Sequence, residues 1–401
     1  MQQSHKTVLW VILSICLVML WNNWQEQHGQ PTLFGQKPAQ TAQQQTQAQQ
    51  GNGNQAAGAD ASIPSAPANG SNDASAAVPG NEASQPAKAG ETITLQNDVI
   101  KLGIDAVGGQ ISYSELLHHI HNTQDPNSGN LVIQSDRQGT YFVGQTGLVG
   151  VKDAPNHTTP MTVVRRIETN GQTTGVVLAA EGGGLRIERT YQLSPGSYEI
   201  KVDNRVTNVG EQPVSPALYL QLTRDTHEAP GQSGYYKTYA GPVVYTDADK
   251  FQKVSFEDIQ KGKAKHSGKA TDGWVGIIQH YFVSAWVPKQ GQAREYYTRS
   301  VGNGRYAAGA YEPLGQINAG QTVDVGETLF IGPQDQDVLA KVAPGLDLVV
   351  DYGWVTAIAK PLFWLLTFLH GILGNWGWAI VALTILVKLA FFPLQAASYR
   401  S

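Results

Sequence analysis

LRIERTYQLSPGSYEIKV, residues 185–202, is the stretch that decides the fold, because apolar and polar side chains largely alternate on both sides of a Ser-Pro-Gly-Ser turn. A period of two places one face of a strand in a core and the other in water, which is typical of antiparallel sheets. The same pattern recurs at residues 99–104, 218–222 and 322–325. Because no helical pattern is interleaved with these runs, we predict a mainly β fold with one large β-sandwich over residues 91–345.

The region before the sandwich divides into two segments of unlike composition. Residues 36–90 contain no aromatic residue and are dominated by Gln, Ala, Asn, Gly, Ser and Pro, so they cannot bury enough apolar surface to fold. We predict a disordered tether over residues 35–90. Residues 1–34 are predicted to form a transmembrane signal anchor, with a span of about residues 7–24 closed by two tryptophans. A cleaved signal peptide is the alternative, although no small-x-small cleavage site follows the apolar run.

The region after the sandwich is almost wholly apolar. The sandwich domain itself is predicted to end with a short helix over residues 337–342, before Pro344-Gly345, and the apolar region begins at residue 346. Residues 376–394 form a 19-residue run with one charge, Lys388, which predicts a transmembrane helix within residues 374–401.

The preceding segment, residues 346–373, is predicted to hold an amphipathic helix at the membrane interface, with Pro361 allowing a kink. On a helical projection its polar side chains fall within about 80° of one another. A third spanning helix is the alternative. The polar stripe consists of Thr356, Lys360, Thr367 and His370.

Composition and motifs exclude several classes of function. With 28 Lys and Arg against 32 Asp and Glu, the net charge of -4 excludes a globally basic nucleic-acid binder. The single cysteine excludes an intrachain disulfide or a cysteine-based zinc cluster. His118, His119 and His121 lack a neighbouring carboxylate ligand and are interpreted as a solvated strand end, and the Lys-rich residues 250–269 as a mobile surface loop. Without a G-x-S-x-G, H-E-x-x-H or C-x-x-C motif, we expect no enzyme activity, no bound metal and no cofactor.

Lys388 is the strongest candidate for a functional residue. A lysine deep in a spanning helix costs about 2.5–3.5 kcal/mol on insertion scales, so it needs a compensating environment. One interpretation is a hydrated cavity in which the charge has a role. The other is snorkelling, because the side chain lies six residues before Leu394 and could reach the cytoplasmic headgroups.

Several segments together resemble the YidC family of bacterial membrane protein insertases. The resemblance includes LWNNWQ at residues 20–25, GWV at residues 273–275 and YFVSAWVP at residues 281–288. The most specific run begins GNWGWAI at residue 374 and continues to Leu394. Its core-motif positions are Gly374, Asn375, Trp376, Gly377, Thr384, Lys388 and Pro393.

The resemblance implies a fold, a location and partners. The β domain would be the periplasmic β-supersandwich of the family, similar to sugar-mutarotase-like folds, in a multi-pass protein of the bacterial inner membrane. Lys388 falls where the family carries a positive residue, usually Arg, in a hydrophilic groove. The implied function is insertion and folding of membrane proteins, alone or with the Sec translocon. The implied partners are nascent inner-membrane proteins, Sec translocon components and membrane lipids, without nucleic acid.

One departure from the family pattern concerns length. The family has five core helices after its periplasmic domain, whereas this chain ends at Ser401, after the first. We therefore expect an incomplete fragment that does not insert proteins by itself. The alternative function is a membrane-anchored periplasmic binding or scaffold protein with a carbohydrate-binding-like β-sandwich.

Overall fold

The computed structural model describes residues 63–64, 91–122, 125–137, 140–227, 239–350 and 356–400. The predicted signal anchor and the predicted tether, apart from residues 63–64, lie outside the described residues. All described residues belong to one unit, residues 57–401.

Two antiparallel sheets of nine strands each make up the described β domain. The first sheet contains β1 (Thr92–Gln96), β2 (Ile100–Asp105), β3 (Ile111–Asn122), β4 (Asp125–Arg137), β5 (Thr140–Val149), β10 (Ala217–Asp225), β13 (Lys269–Ala270), β16 (Arg294–Gly302) and β17 (Arg305–Pro313). The second contains β6 (Thr162–Thr169), β7 (Gln172–Gly182), β8 (Leu185–Leu193), β9 (Glu199–Asn208), β11 (Gly241–Thr246), β12 (Lys250–Lys253), β14 (Trp274–Ile278), β15 (Phe282–Val287) and β18 (Thr322–Pro333). Their spatial orders are β1-β2-β3-β4-β5-β10-β17-β16-β13 and β12-β11-β14-β15-β18-β9-β8-β7-β6. The mainly β fold predicted from the alternating pattern is confirmed.

The main core lies between the two sheets, as the period of two requires. In β8, every second side chain from Leu185 to Leu193 is buried and the others are partly exposed. Arg189 falls on the buried face, where its Nε donates to Asn204 Oδ1 at 2.8 Å and its Nη1 to the Gly108 carbonyl at 2.9 Å. The core combines side chains of both sheets, among them Leu102, Ile104, Leu218, Leu220, Leu222, Ile187, Tyr191, Val202, Trp286, Leu329 and Ile331.

A second hydrophobic cluster joins the end of the β domain to its second sheet. Helix α2 (Gln336–Val342) and a 3-10 helix (Leu346–Val349) contribute buried apolar side chains to this cluster. The Trp274 ring stacks on Tyr245, with 5.9 Å between ring centroids, and its Nε1 donates to the Pro344 carbonyl at 3.1 Å. The 3-10 helix buries Leu346 and Val349 in the β domain, and the next described helix begins at Thr356. Residue 346 is therefore not the first residue of the interfacial segment, which corrects the predicted boundary.

The Lys-rich residues 250–269 are not a simple surface loop, which corrects the prediction. They contain β12, a short helix α1 (Phe256–Gln260) and the first residue of β13. Ser255 begins the helix by accepting a hydrogen bond from the Asp258 amide at 3.0 Å. Val254 and Ile259 are buried in one cluster with Tyr306, so two apolar side chains hold a segment whose lysines face water.

Two longer helices follow the β domain, α3 (Thr356–Leu373) and α4 (Trp376–Arg400). Pro361 lies inside α3, and the helix continues through it. Among the residues that the structure describes, no helix meets the combination of length and apolar character expected of a membrane span.

A buried pair of carboxyl groups lies between the sheets. Glu312 and Glu327 are both buried, and Arg294 Nε lies 3.9 Å from Glu312 Oε1. Glu327 Oε2 also accepts a hydrogen bond from the Lys289 amide at 3.2 Å. Burial, followed by the neighbouring carboxyl group of Glu312, raises the pKa of Glu327 well above its usual range. We therefore expect the folded chain to keep one proton on this pair of carboxyl groups at neutral pH.

Because the folded chain holds this proton more tightly than the unfolded chain, the free energy of unfolding should depend on pH. The unfolded chain releases it near pH 4.5, whereas the folded chain holds it past neutrality, so stability falls as the pH rises from 4.5. Glu327→Gln mimics the protonated carboxyl and is expected to reduce this slope, so that the variant gains melting temperature over the native chain at pH 8 but not at pH 5. Thermal unfolding from pH 4 to 9 measures the slope. Asp324→Asn, on the exposed face of the same strand, is the matched control and should leave it unchanged. An equal slope in Glu327→Gln would contradict the assignment.

Candidate functional site

The turn between α3 and α4 is built by the motif GNWG, residues 374–377. Gly374 has a φ of 65°, and its amide donates to the His370 carbonyl at 2.8 Å, which ends α3. A Cβ at this position would meet no heavy atom within 4 Å, so the glycine is required for its left-handed backbone and not for space.

Asn375 begins α4 as its N-terminal cap. Its Oδ1 accepts a hydrogen bond from the Trp378 amide at 3.2 Å, and its carbonyl accepts one from the Ala379 amide at 3.0 Å. A Cβ on Gly377 would lie 3.1 Å from that Oδ1, so a side chain there would crowd the cap. The sequence GNWG thus supplies a helix stop followed at once by a helix start.

An aromatic contact joins the two helix ends. The His370 ring stacks on the Trp376 ring, with 3.9 Å between centroids and 11° between planes. Of the four residues predicted to form the polar stripe on α3, His370 and Thr367 have described side chains. Thr367 Oγ1 donates to the Phe363 carbonyl at 3.0 Å. Thr356, Lys360 and the motif residue Pro393 lie within the helices, but their side chains are outside the described part.

Thr384 and Lys388 lie one helical turn apart on α4 and share a face. Thr384 Oγ1 donates to the Ile380 carbonyl at 2.8 Å, so the hydroxyl is satisfied within the helix. The Lys388 side chain is exposed, and no carboxylate of the described residues forms an ion pair with it. It is therefore a cation whose charge is free to meet a group from outside this part of the chain.

Large apolar side chains are exposed along both helices. Exposed apolar surface of this extent marks contact with a membrane or a protein partner in soluble and membrane proteins alike. The exposed apolar residues include Ile358, Phe363, Trp364, Phe368 and Ile372 of α3 and Trp378, Ile380, Val381, Ile385, Leu389, Phe391 and Phe392 of α4.

A polar cleft on the outer face of the first sheet was missed by sequence reasoning. At its centre Gln145 Oε1 accepts hydrogen bonds from Gln221 Nε2 and Thr223 Oγ1, both at 2.8 Å. Tyr297 Oη donates to Gln221 Oε1 at 2.8 Å. Gln145 lies on β5, which pairs with β10, whereas Tyr297 reaches Gln221 from β16, across the intervening strand β17. A cavity of about 300 Å³ opens beside Gln145 and Thr223. Its lining includes Val107, Gln110, Tyr141, Gln145, His157, Thr223 and Arg305.

The cleft has the chemistry of a binding surface. The described residues that line the cavity include amides, hydroxyls, one imidazole and one guanidinium but no carboxylate. His157 Nδ1 lies 2.5 Å from Tyr219 Oη, so its ring is engaged within the cleft wall. The arrangement can hydrogen-bond a polar ligand or a peptide backbone.

The three histidines of β3 are not gathered into a metal site in the described part of the chain, where no group of three candidate ligands occurs. His119 packs edge-on against Phe282, with 5.7 Å between ring centroids. Burial, with a smaller effect of His118, lowers the pKa of His119, so the ring favours the neutral form. The side chain of His121 is outside the described residues.

Comparison with known proteins gives one matching family model and several similar relatives. A family model described as YidC periplasmic domain matches residues 92–365. A relative described as membrane protein insertase YidC, from Bordetella petrii, is 45% identical over 401 residues, which is 99% of this chain and 70% of that protein. The protein of the same description from Bordetella parapertussis is 47% identical over 402 residues, again 99% of this chain and 70% of the relative.

Two solved structures complete the comparison. The crystal structure of YidC from Thermotoga maritima matches with a TM-score of 0.32 and 12% identity, covering 77% of this chain and 71% of that chain. A galactose mutarotase related enzyme from Lactobacillus acidophilus matches with a TM-score of 0.41 and 10% identity, covering 60% of this chain and 97% of that chain.

Proposed function

Since the chain belongs to the YidC family of membrane protein insertases, we propose that it receives hydrophobic segments of nascent membrane proteins on the surface formed by α3 and α4. The observation that carries this proposal is the identity of 45% to 47% with insertases over 99% of the chain. The resemblance that the motifs indicated is thereby confirmed. Insertion moves a segment from one environment to another and breaks no covalent bond, so the proposal requires neither a catalytic residue nor a cofactor.

The proposed location is the bacterial inner membrane, with the β domain in the periplasm. The family model for the periplasmic domain covers every strand of the sandwich, which supports this orientation. We propose that α4 crosses the membrane over residues 376–394. A helix of that length rises about 28 Å, close to the roughly 30 Å of a bilayer core. Its exposed leucines, isoleucines, valine and phenylalanines would then contact lipid.

We propose that α3 lies at the periplasmic membrane surface. At 100° per residue, Thr367 and His370 lie about 180° and about 120° from Ile358, so the polar side chains and this exposed apolar side chain lie on different faces, as an interfacial helix requires. The Gly374-Asn375 turn lets the chain pass directly from this helix into α4. A spanning orientation of α3 is the alternative.

Lys388 is proposed to meet the polar or acidic flank of an incoming segment. Its positive charge on an otherwise apolar helix would lower the cost of moving that flank into the membrane. Lysine keeps the charge but lacks the five-donor fork of arginine, so the role proposed here depends on charge rather than on paired hydrogen bonds. The Sec translocon and membrane lipids are further proposed partners, on the strength of the family resemblance and of the exposed apolar faces.

The proposal predicts which surface touches a substrate. A photoreactive phenylalanine analogue at Ile385, 53% exposed on α4, is expected to crosslink to the hydrophobic segment of a ribosome-bound nascent membrane protein in inner-membrane vesicles. Val209 is 52% exposed on the β domain and is the matched control position, at which no crosslink is expected. Mass spectrometry identifies the crosslinked segment. A crosslink from Val209 and none from Ile385 would overturn the proposed surface.

A further inference from the structure

A short piece of the region before β1 lies against the outer face of the first sheet. Ile63 packs on a cluster of residues from β5, β10, β16 and β17, which we call the aromatic cradle. Arg299 Nη1 donates a hydrogen bond to the Ile63 carbonyl at 3.2 Å, and Pro64 is buried. The cradle consists of Val149, Ala217, Tyr219, Tyr297 and Tyr311.

The cradle is built by the register of neighbouring strands. Tyr219 and Tyr311 pair directly across β10 and β17, and the Tyr297 and Tyr311 rings lie 4.4 Å apart at 31°. A Cβ at Gly309 would lie 2.6 Å from Tyr297 Oη, so the glycine lets that ring lie across the strand. The resulting surface is an apolar hollow with a guanidinium at its edge.

The segment that contacts the cradle has a sequence pattern of its own, an aliphatic residue followed by proline. Between residues 36 and 90 the only large aliphatic residues are Ile63 and Val78, and each is followed directly by proline. Proline lacks a backbone donor and holds the preceding residue in an extended conformation. Such a pair loses little conformational entropy on docking and presents its carbonyl for a single donor such as Arg299.

We propose that the aromatic cradle is a docking site for the chain's own Ile63–Pro64 pair, which fastens the region before β1 to the β domain. The Ile63 side chain fills the hollow and the proline covers its rim. Arg299 donates a hydrogen bond to the Ile63 carbonyl between them. The chain is then attached to the first sheet at residue 63 as well as through β1. Removal of the pair uncovers the tyrosines.

The state of the cradle tyrosines supports this arrangement. Burial raises the pKa of Tyr311 to about 12 and raises that of Tyr297 well above its usual range. An aspartate at position 63 would leave the hollow, because its carboxylate would otherwise be buried among apolar rings, whereas water and the Arg299 guanidinium are available at the rim. Water would reach both rings, and both would react more readily with a reagent that attacks phenolate.

The test compares two variants of the full chain in detergent, Ile63→Asp and the matched control Val78→Asp. Tyrosines are nitrated with tetranitromethane, and mass spectrometry measures nitration of Tyr297 and Tyr311 relative to Tyr281, which is 67% exposed. Ile63→Asp is expected to raise this ratio by about tenfold. This is the change that follows if about 10% or less of the native chains are undocked and all chains of the variant are undocked. Val78→Asp should match the native chain.

A peptide provides the second arm of the test. The synthetic peptide ADASIPSAPA, residues 59–68, is expected to restore protection of both tyrosines in Ile63→Asp at millimolar concentration, whereas the same peptide with Asp for Ile should not. Equal nitration in the native chain and in Ile63→Asp would overturn the proposal. So would uncovering of the cradle by Val78→Asp, because the second aliphatic–proline pair would then be the occupant.

Discussion

Replacing Trp286 by alanine is expected to lower the free energy of unfolding of the β domain by about 3–5 kcal/mol. The Trp286 side chain is 1% exposed and lies in the core between the sheets. Its Nε1 crosses to the first sheet and donates to the Gln221 carbonyl at 3.1 Å. The substitution therefore opens a cavity and removes a hydrogen bond that ties β15 to β10. Urea unfolding of the full chain in detergent, followed by far-ultraviolet circular dichroism, measures the loss.

The matched control is Trp364→Ala, which removes the same side chain from a position that is 68% exposed on α3. It should change the unfolding free energy of the β domain by no more than about 0.5 kcal/mol. Trp286→Phe should fall between the two, because the ring fills part of the cavity without supplying the donor. A loss below about 1 kcal/mol in Trp286→Ala would mean that the core relaxes around this site.

The strands could be predicted because apolar and polar residues alternate along a half-buried strand. β8 and β18 were found in this way, and the Gly183-Gly184 turn between β7 and β8 has positive φ at both residues. Arg189 shows where the pattern stops being informative. From the sequence alone, a charged side chain such as Arg189 would be assigned to the exposed face of the strand. It is buried because its guanidinium donates to Asn204 on the neighbouring strand and to the Gly108 carbonyl, 81 positions away.

The structure of the Lys-rich residues 250–269 could not be predicted for a related reason. Composition describes its exposed side, where the lysines lie, whereas two buried apolar residues determine its structure. Val254 and Ile259 are five positions apart and too sparse to form a periodic pattern. Only their shared contact with Tyr306, more than 40 positions away, makes the segment an ordered part of the domain.

The turn of the candidate site could be predicted, and the cleft could not. Gly374-Asn375 acts locally, through a left-handed residue and a helix cap, so the sequence contains the whole mechanism. Gln145 and Gln221 are brought together by the pairing of β5 with β10, 76 positions apart. The one local sign was that Tyr219 and Gln221 alternate with buried leucines in a predicted strand. That pattern locates their common face but not the partner strands.

Reversing the charge of Lys388 is expected to reduce crosslinking of substrates that carry an acidic flank by about tenfold or more. Two unit charges near a protein surface interact by about 4 kcal/mol at 4 Å, and 1.4 kcal/mol already corresponds to a factor of ten. Lys388→Glu replaces an attraction with a repulsion on a helix whose neighbouring side chains are apolar. Lys388→Arg keeps the charge and should retain at least most of the crosslink. The yield from the photoreactive analogue at Ile385 is the measurement.

Two comparisons separate this role from simple snorkelling. A substrate whose acidic flank is replaced by asparagines should crosslink equally to the native chain and to Lys388→Glu, because the charge then has no partner. Thr384→Val removes a polar group from the same face, and since its hydroxyl is already bonded to the Ile380 carbonyl it should leave the yield unchanged. If Lys388 only reaches the cytoplasmic headgroups, charge reversal would weaken both substrates alike through displacement of α4. Only a charge that faces the substrate would weaken the crosslink of the acidic-flank substrate and leave the crosslink of the asparagine substrate unchanged.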